Sequence, residues 1–316
     1  MVLIFIPRAW NNRKFHLILP YVLVPPFISY FMLRIAIQAK GRLYDESMNL
    51  LLETGIKLSS GKRSLLIPAK AFPAEILFLR DDDIPQAVAA GVADTGIVGE
   101  NVFMEKKQNA EIVKRLGFGK CRLSLAIPKE EDYKYKNLSW FSGKKIATSY
   151  PVVLLEFLKK NAIKADIHII NGSVEIAPGI GLADAVFDIV SSGSTLLSNH
   201  LKEVETVMQS EAVLIAHPHL SKEKRAILKE LIFRIEAVQT AEGKKYILLN
   251  APNEKLPEIF DILPGMRSPT VLPLAQEGWS SIHSVISEQR FWEIIGKLKA
   301  AGAEGILVIP IEKMIL

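Results

Sequence analysis

The stretch Gly181-Leu-Ala-Asp184-Ala-Val-Phe-Asp188-Ile-Val-Ser191-Ser192-Gly193-Ser194-Thr195-Leu196 leads from two carboxylates through apolar residues into a loop of glycine and hydroxyl side chains. Such a loop can hold a phosphate. Glycine lets the backbone approach closely, successive amides point inward, and serine and threonine hydroxyls add donors. Asp184 and Asp188 are four residues apart, hence on one face of a strand, where carboxylates can accept hydrogen bonds from ribose hydroxyls. The combination suits a sugar phosphate. No lysine of Walker A type accompanies the loop, which disfavours nucleoside-triphosphate hydrolysis. A plain polar turn capping a helix has the same composition, so the loop alone does not decide.

The elements that must position these residues follow an α/β rhythm. Strands are expected at Leu33 to Ala39, Ile76 to Leu79, Ala93 to Val98, Cys121 to Ile127, Lys145 to Thr148, Asp166 to Ile170, Ala185 to Val190 and Ala212 to Ala216. Between them, helices are expected from about Asp45 to Thr54, with Met48, Leu51 and Leu52 at helical spacing, and from Ile84 to Ala90. A helix starting at Pro151 uses proline where a missing amide costs least, and Thr195 to Leu201 can begin another. Ser221 caps a helix running towards Ala237. The chain leaves a first lobe after about residue 120 and later returns to it, which puts a ligand cleft between two lobes. Past Thr240 the order β-α-β-β-α-β gives a small ferredoxin-like α+β module.

A chain of 316 residues exceeds what one core usually organises. Its 49% apolar and 23% charged residues are those of a globular protein. The formal charge of +5 falls to +2 once Arg8, Arg13 and Lys14 are set aside, too little for a nucleic-acid-binding stripe. Cys121 is the only cysteine, which fits a reducing cytoplasm, and the six histidines show no zinc-like spacing. Leu17 to Leu33 is nearly all apolar, but Pro20, Pro25 and Pro26 speak against a membrane helix. Residues 1–31 are read as an extension outside the fold, with Met32 as the functional start and no membrane or nucleic acid as partner.

The phosphate-loop segment resembles that of the ATP phosphoribosyltransferases. The likeness extends through Gln38-Ala-Lys-Gly-Arg-Leu43, Leu79-Arg-Asp-Asp-Asp-Ile-Pro85, Gly96-Ile-Val-Gly-Glu-Asn101, Cys121-Arg-Leu-Ser124, Ile146-Ala-Thr-Ser-Tyr-Pro151 and Asn171-Gly-Ser-Val-Glu175. The tail resembles the regulatory domain of the family's long form through Ser268-Pro269-Thr270, Leu272-Pro-Leu274 and Ile309-Pro-Ile-Glu-Lys313. The resemblance implies a two-lobed, periplasmic-binding-protein-like catalytic region and a C-terminal ferredoxin-like (ACT-like) domain. Lobe I is expected over residues 32–120 and 206–239, lobe II over 121–205, and the regulatory, histidine-binding domain over 240–316.

The activity implied is magnesium-dependent: adenine N1 of ATP displaces pyrophosphate from C1 of phosphoribosyl pyrophosphate, the first step of histidine synthesis. Asp184, Asp188 and Ser191, Ser192, Gly193, Ser194 and Thr195 are expected at the phosphoribosyl donor. Lys40, Gly41, Arg42, Arg80 and Arg122 are expected at phosphates, and Thr148, Ser149 and Tyr150 at the nucleotide. Glu100 and Glu175 stand evenly between ligand contact and structural hydrogen bonding. Mg²⁺ is expected to be held mostly by pyrophosphate and water, with no protein ligand assigned. Thr270 and Ala303 are expected at histidine, and the long form implies a homohexamer exchanging with dimers. The rival readings are a two-lobed solute-binding protein and a noncatalytic regulatory subunit. A solute receptor has no use for a ribose-phosphate loop with a regulatory tail, and Asp188, Gly193 and Thr195 are intact.

Overall fold

The computed structural model describes residues 32–59, 64–263, 265 and 268–316; the expectations for residues 1–31 lie outside it. Lobe I begins with β1 (Leu33–Gln38), α1 (Arg42–Glu53), β2 (Lys57–Leu58), β3 (Leu66–Lys70), β4 (Ala74–Leu79), α2 (Ile84–Ala89), β5 (Thr95–Gly99), α3 (Glu100–Lys106) and β6 (Glu111–Arg115). Lobe II follows with β7 (Cys121–Pro128), β8 (Lys145–Thr148), α4 (Pro151–Lys160), β9 (Asp166–Ile169), β10 (Ala185–Val190), α5 (Ser194–Ser198) and β11 (Leu201–Ser210). The chain then returns to lobe I as β12 (Ala212–Ala216) and α6 (Lys222–Ala241).

The first sheet has the order β2-β3-β4-β1-β5-β12-β6, with β1 parallel to β4 and β5 and β12 antiparallel to β5. Because β1 is central and covered on both faces, Leu33, Ile35, Ala36 and Ile37 are all fully buried. Leu50 and Leu51 of α1 pack on one face with α6, and Ile84 and Val88 of α2 on the other. Leu52, expected to face the core, is 55% exposed, since in a run of three leucines the helix phase selects Leu50 and Leu51. Ser221 caps α6 by accepting the Lys224 amide, and that helix runs past Ala237 to Ala241.

Lobe II has the order β11-β7-β10-β8-β9. Phe141 and Phe187 are fully enclosed within it, each contributing about 2–3 kcal/mol of apolar burial. The register runs to Ser210↔Cys121, so the chain recrosses at Glu211. That corrects the expected boundary at 205/206, which would cut β11 in two. The helix expected from Thr195 to Leu201 ends at Ser198, and Leu201 already belongs to β11.

The C-terminal domain comprises β13 (Lys244–Pro252), α7 (Leu256–Ile262), β14 (Thr270–Pro273), β15 (Trp279–Ser287), α8 (Glu288–Ala300) and β16 (Glu304–Pro310). Its antiparallel sheet has the order β14-β15-β13-β16, the ferredoxin-like arrangement. Ile247, Leu249 and Ile282 pack with Ile259, Ile294 and Leu298 of the two helices to form a core of its own. Among the described residues no helix is long and apolar enough to cross a membrane.

Candidate active site

A cleft of about 470 Å³ lies between the two lobes. Lobe II supplies the whole loop from Ser191 to Thr195, with Asp188, Glu175 and Tyr150. Lobe I faces it with Arg42, Glu46, Asp81 and Asn101, and the crossing segment adds Lys120 and Cys121. The loop leaves the end of β10 and enters α5 through Gly193, whose φ of +81° is left-handed backbone that glycine adopts without strain. The Ser194 amide donates to Ser192 Oγ at 3.4 Å, while the Thr195 and Leu196 amides precede any possible partner within the helix and are available as donors. The Ser192 and Ser194 hydroxyls lie 3.0 Å apart.

Asp188 sits in mid-strand opposite Ser124 of β7. Burial, reinforced by the neighbouring Glu175 charge, pushes its carboxyl up to about 6. Asp81, at the end of β4, is likewise pushed up to about 6, first by burial and then by Asp82. Its Oδ1 is buried without a hydrogen-bond partner in the protein. Two costly carboxylates facing one cleft are the arrangement expected where a ligand or cation later satisfies them. Among the described residues no group of three or more His, Cys, Asp or Glu is arranged to hold a metal ion.

Other residues expected at the site stand elsewhere. Asp184 shares a face with Asp188, but four residues along a strand is about 13 Å. It lies at the far end, accepting the Lys145 amide at 2.8 Å, outside the cleft walls. Glu100 is held by Arg115 through two contacts of 2.5 and 2.7 Å, a structural ion pair. Thr148 is fully buried and accepts the Tyr150 amide, while Ser149 donates to the Ile170 carbonyl. Both build the turn that presents Tyr150. Lys40, Gly41 and Arg80 are exposed on loops at the ends of β1 and β4 and do not line the cleft, whereas Arg42 does.

Arg122 also lies outside the walls. It makes a two-pronged pair with Glu203 at 2.5 and 2.6 Å and donates to the Ser191 carbonyl at 3.1 Å, so it braces the phosphate loop from behind. Arg122→Ala is expected to lose about 1–2 kcal/mol of stability, less than a buried charged hydrogen bond because both side chains are about a quarter exposed. Donor affinity should fall by a factor that hardly changes with salt, which titration calorimetry at several ionic strengths would check. A loss that grows steeply as salt falls would instead place the guanidinium on the ligand.

Glu46, Asp81, Asn101 and Lys120 were not singled out from sequence. Asp81 has a legible signal, its place two residues past a strand end. Lys120 had none, since its position depends on the crossing between lobes.

The family model described as ATP phosphoribosyltransferase matches residues 80–237, and that described as HisG, C-terminal domain matches residues 241–313. This chain belongs to the ATP phosphoribosyltransferase family. It is 69% identical over 285 residues to an ATP phosphoribosyltransferase of Bacteroides thetaiotaomicron, covering 90% of this chain and 100% of the relative. It is 72% identical, over the same shares, to one from Azobacteroides pseudotrichonymphae. Among solved structures, the ATP phosphoribosyl transferase (HisG:HisZ) complex from Thermotoga maritima aligns with a TM-score of 0.55 at 29% identity, covering 65% of this chain and 99% of that chain. As an ATP phosphoribosyltransferase with the family's C-terminal domain, the chain condenses ATP with phosphoribosyl pyrophosphate in the first step of histidine synthesis. The noncatalytic readings are not favoured.

Proposed function

We propose that the interlobe cleft is where this reaction takes place, with the donor on lobe II and the nucleotide spanning both lobes. The observation carrying this reading is convergence: the Ser191–Thr195 loop and Asp188 face Arg42 of lobe I and Lys120 of the crossing segment across one cavity. Ser191 to Thr195 hold the 5-phosphate, and Asp188 accepts from the ribose hydroxyls and provides an anionic environment for the cationic character developing at C1. Arg42 and Lys120 offset the charge of the phosphates. The attacking adenine nitrogen carries no proton, so it needs positioning more than a base. Mg²⁺, which when bound neutralises the pyrophosphate leaving group, would be held mostly by the pyrophosphate and water. Purified protein given ATP, phosphoribosyl pyrophosphate and Mg²⁺ should form phosphoribosyl-ATP, followed by ultraviolet absorbance. Turnover unaffected by omission of Mg²⁺ and all other divalent ions would remove the cation from this scheme.

The C-terminal domain is proposed to bind histidine between copies of the chain. Thr270 lies exposed on the edge strand β14, whereas Ala303 precedes β16 at the opposite edge, three strand spacings or about 14 Å away. One domain therefore does not bring them together. The Ala303 side chain is buried in the core and its amide donates to the Leu298 carbonyl, which leaves only its carbonyl for a ligand. The sheet face away from α7 and α8 exposes Leu272, Leu307 and Ile309 at 50, 55 and 44%, which supports a homo-oligomer, proposed as a hexamer exchanging with dimers. Inhibition requires that histidine favour one arrangement of the assembly over another. Thr270→Val is expected to weaken histidine inhibition severalfold with little change in uninhibited turnover, read from inhibition curves on the full-length protein. Unchanged inhibition would remove Thr270 from the pocket.

A further inference from the structure

Asn101 stands where the two lobes and the recrossing chain meet, and it is only 3% exposed. It lies in the first turn of α3 in lobe I, yet its partners are Ser210, the last residue of β11, and Tyr150 of lobe II. One group in this chain of hydrogen bonds can only donate. The Asn101 backbone N–H donates to Ser210 Oγ at 3.0 Å. The Ser210 hydroxyl donates its proton to Asn101 Oδ1 at 2.9 Å. That sets the amide, because Oδ1 faces Ser210 and Nδ2 must face Tyr150, where it donates to the phenolic oxygen at 2.9 Å. The Tyr150 oxygen is thereby an acceptor on the Asn101 side, and its own proton points to another partner. Tyr150 lines the cleft with Asp188 and the phosphate loop.

A second observation is independent of these bonds. Gly99 has ordinary extended backbone, with φ −65° and ψ 134°, so its conformation does not call for glycine. Its space does: a Cβ at position 99 would lie 2.5 Å from Asn101 Oδ1. Neighbouring contacts hold the lobes in the arrangement that the chain of hydrogen bonds requires. Glu105 of α3 accepts the Val152 and Val153 amides at the start of α4 at 3.0 to 3.1 Å, and Lys107 pairs with Glu156. Burial and the nearby Asp188 charge raise the Tyr150 phenol above its ordinary range, so it keeps its proton.

We propose that Ser210 and Asn101 are positioning residues that make Tyr150 a one-way hydrogen-bond donor to an oxygen of the ligand in the cleft, available only when the lobes are in register. The inference rests on the cleft as the substrate site. The ligand oxygen belongs to the phosphate or ribose of a sugar phosphate, since the phenol sits beside the groups proposed to hold one.

The test is a double-mutant cycle in the full-length protein, with kcat and KM measured for phosphoribosyl pyrophosphate. Tyr150→Phe removes the donated proton and should lower kcat/KM about tenfold, the factor matching one ordinary hydrogen bond. Asn101→Ala, and Gly99→Ala with Asn101 intact, should each cause a comparable loss. Combined with Tyr150→Phe, neither should lower kcat/KM further, because all act through one phenol. Should Asn101→Ala fold poorly, Ser210→Ala releases the amide more gently, and its smaller loss should likewise vanish in the Tyr150→Phe background. Losses that multiply would mean that Asn101 and Gly99 only support the fold, and the proposal fails. It fails equally if Tyr150→Phe retains the native kcat/KM. Neither failure touches the placement of donor at Asp188 and Gly193, whose own variants decide it.

Discussion

Asp188→Ala is expected to lower affinity for phosphoribosyl pyrophosphate by on the order of 100-fold or more, the loss of two charge-assisted hydrogen bonds to ribose hydroxyls. Turnover should fall at least as far. The same change is expected to leave thermal stability equal or higher. Asp188 is pushed up to about 6 mainly by burial, so near neutral pH the folded protein bears the cost of an ionised carboxylate poorly served by solvent. Alanine removes that cost. Function and stability thus move in opposite directions, which a merely structural aspartate would not do. Calorimetric donor titration beside a thermal melt reads both, and native affinity in a stable variant would remove Asp188 from the donor site.

Gly193→Val is expected to raise the KM for the donor by on the order of 100-fold while the KM for ATP changes much less. The cause is the backbone rather than crowding, since a Cβ there would meet only Val190 Cγ1, at an ordinary 3.9 Å. A β-branched residue at φ +81° costs at least 1–2 kcal/mol, which the loop relieves by reshaping, and its amides then no longer converge on a phosphate. Gly193→Ala should show the same selectivity at about a tenth of the size. Steady-state kinetics with each substrate varied in turn would check both variants. Equal effects on the two substrates would indicate general damage instead.

What the sequence made legible was what local chemistry dictates. The strand–loop–helix run through Asp188 to Thr195, the turn that presents Tyr150, and the β-α-β-β-α-β order of the C-terminal domain all follow from spacing and turn residues close together in the chain. Less legible was whatever depended on distance along an element or on irregular pairing. Asp184 has the right face and the wrong end of its strand. β11 escaped because irregularities between Glu203 and Glu205 and between Thr206 and Met208 break the two-residue alternation. Pro68 masked β3, tolerable there only because that strand lies near the sheet's edge. Glu100 and Thr148 occupy the strand ends where ligand contacts are sought, yet their hydrogen bonds go to Arg115 and to the Tyr150 amide, partners that only the folded chain reveals. Asn101 belongs to the same class, because its partners lie 49 and 109 residues away.

The most direct measurement is a crystal structure of the full-length protein with phosphoribosyl pyrophosphate and Mg²⁺. The 5-phosphate is expected within hydrogen-bond distance of backbone amides and hydroxyls of Ser191 to Thr195, with Asp188 on the ribose hydroxyls and the pyrophosphate towards Arg42 and Lys120. A donor bound with its 5-phosphate away from that loop, or outside the interlobe cleft, would contradict the account.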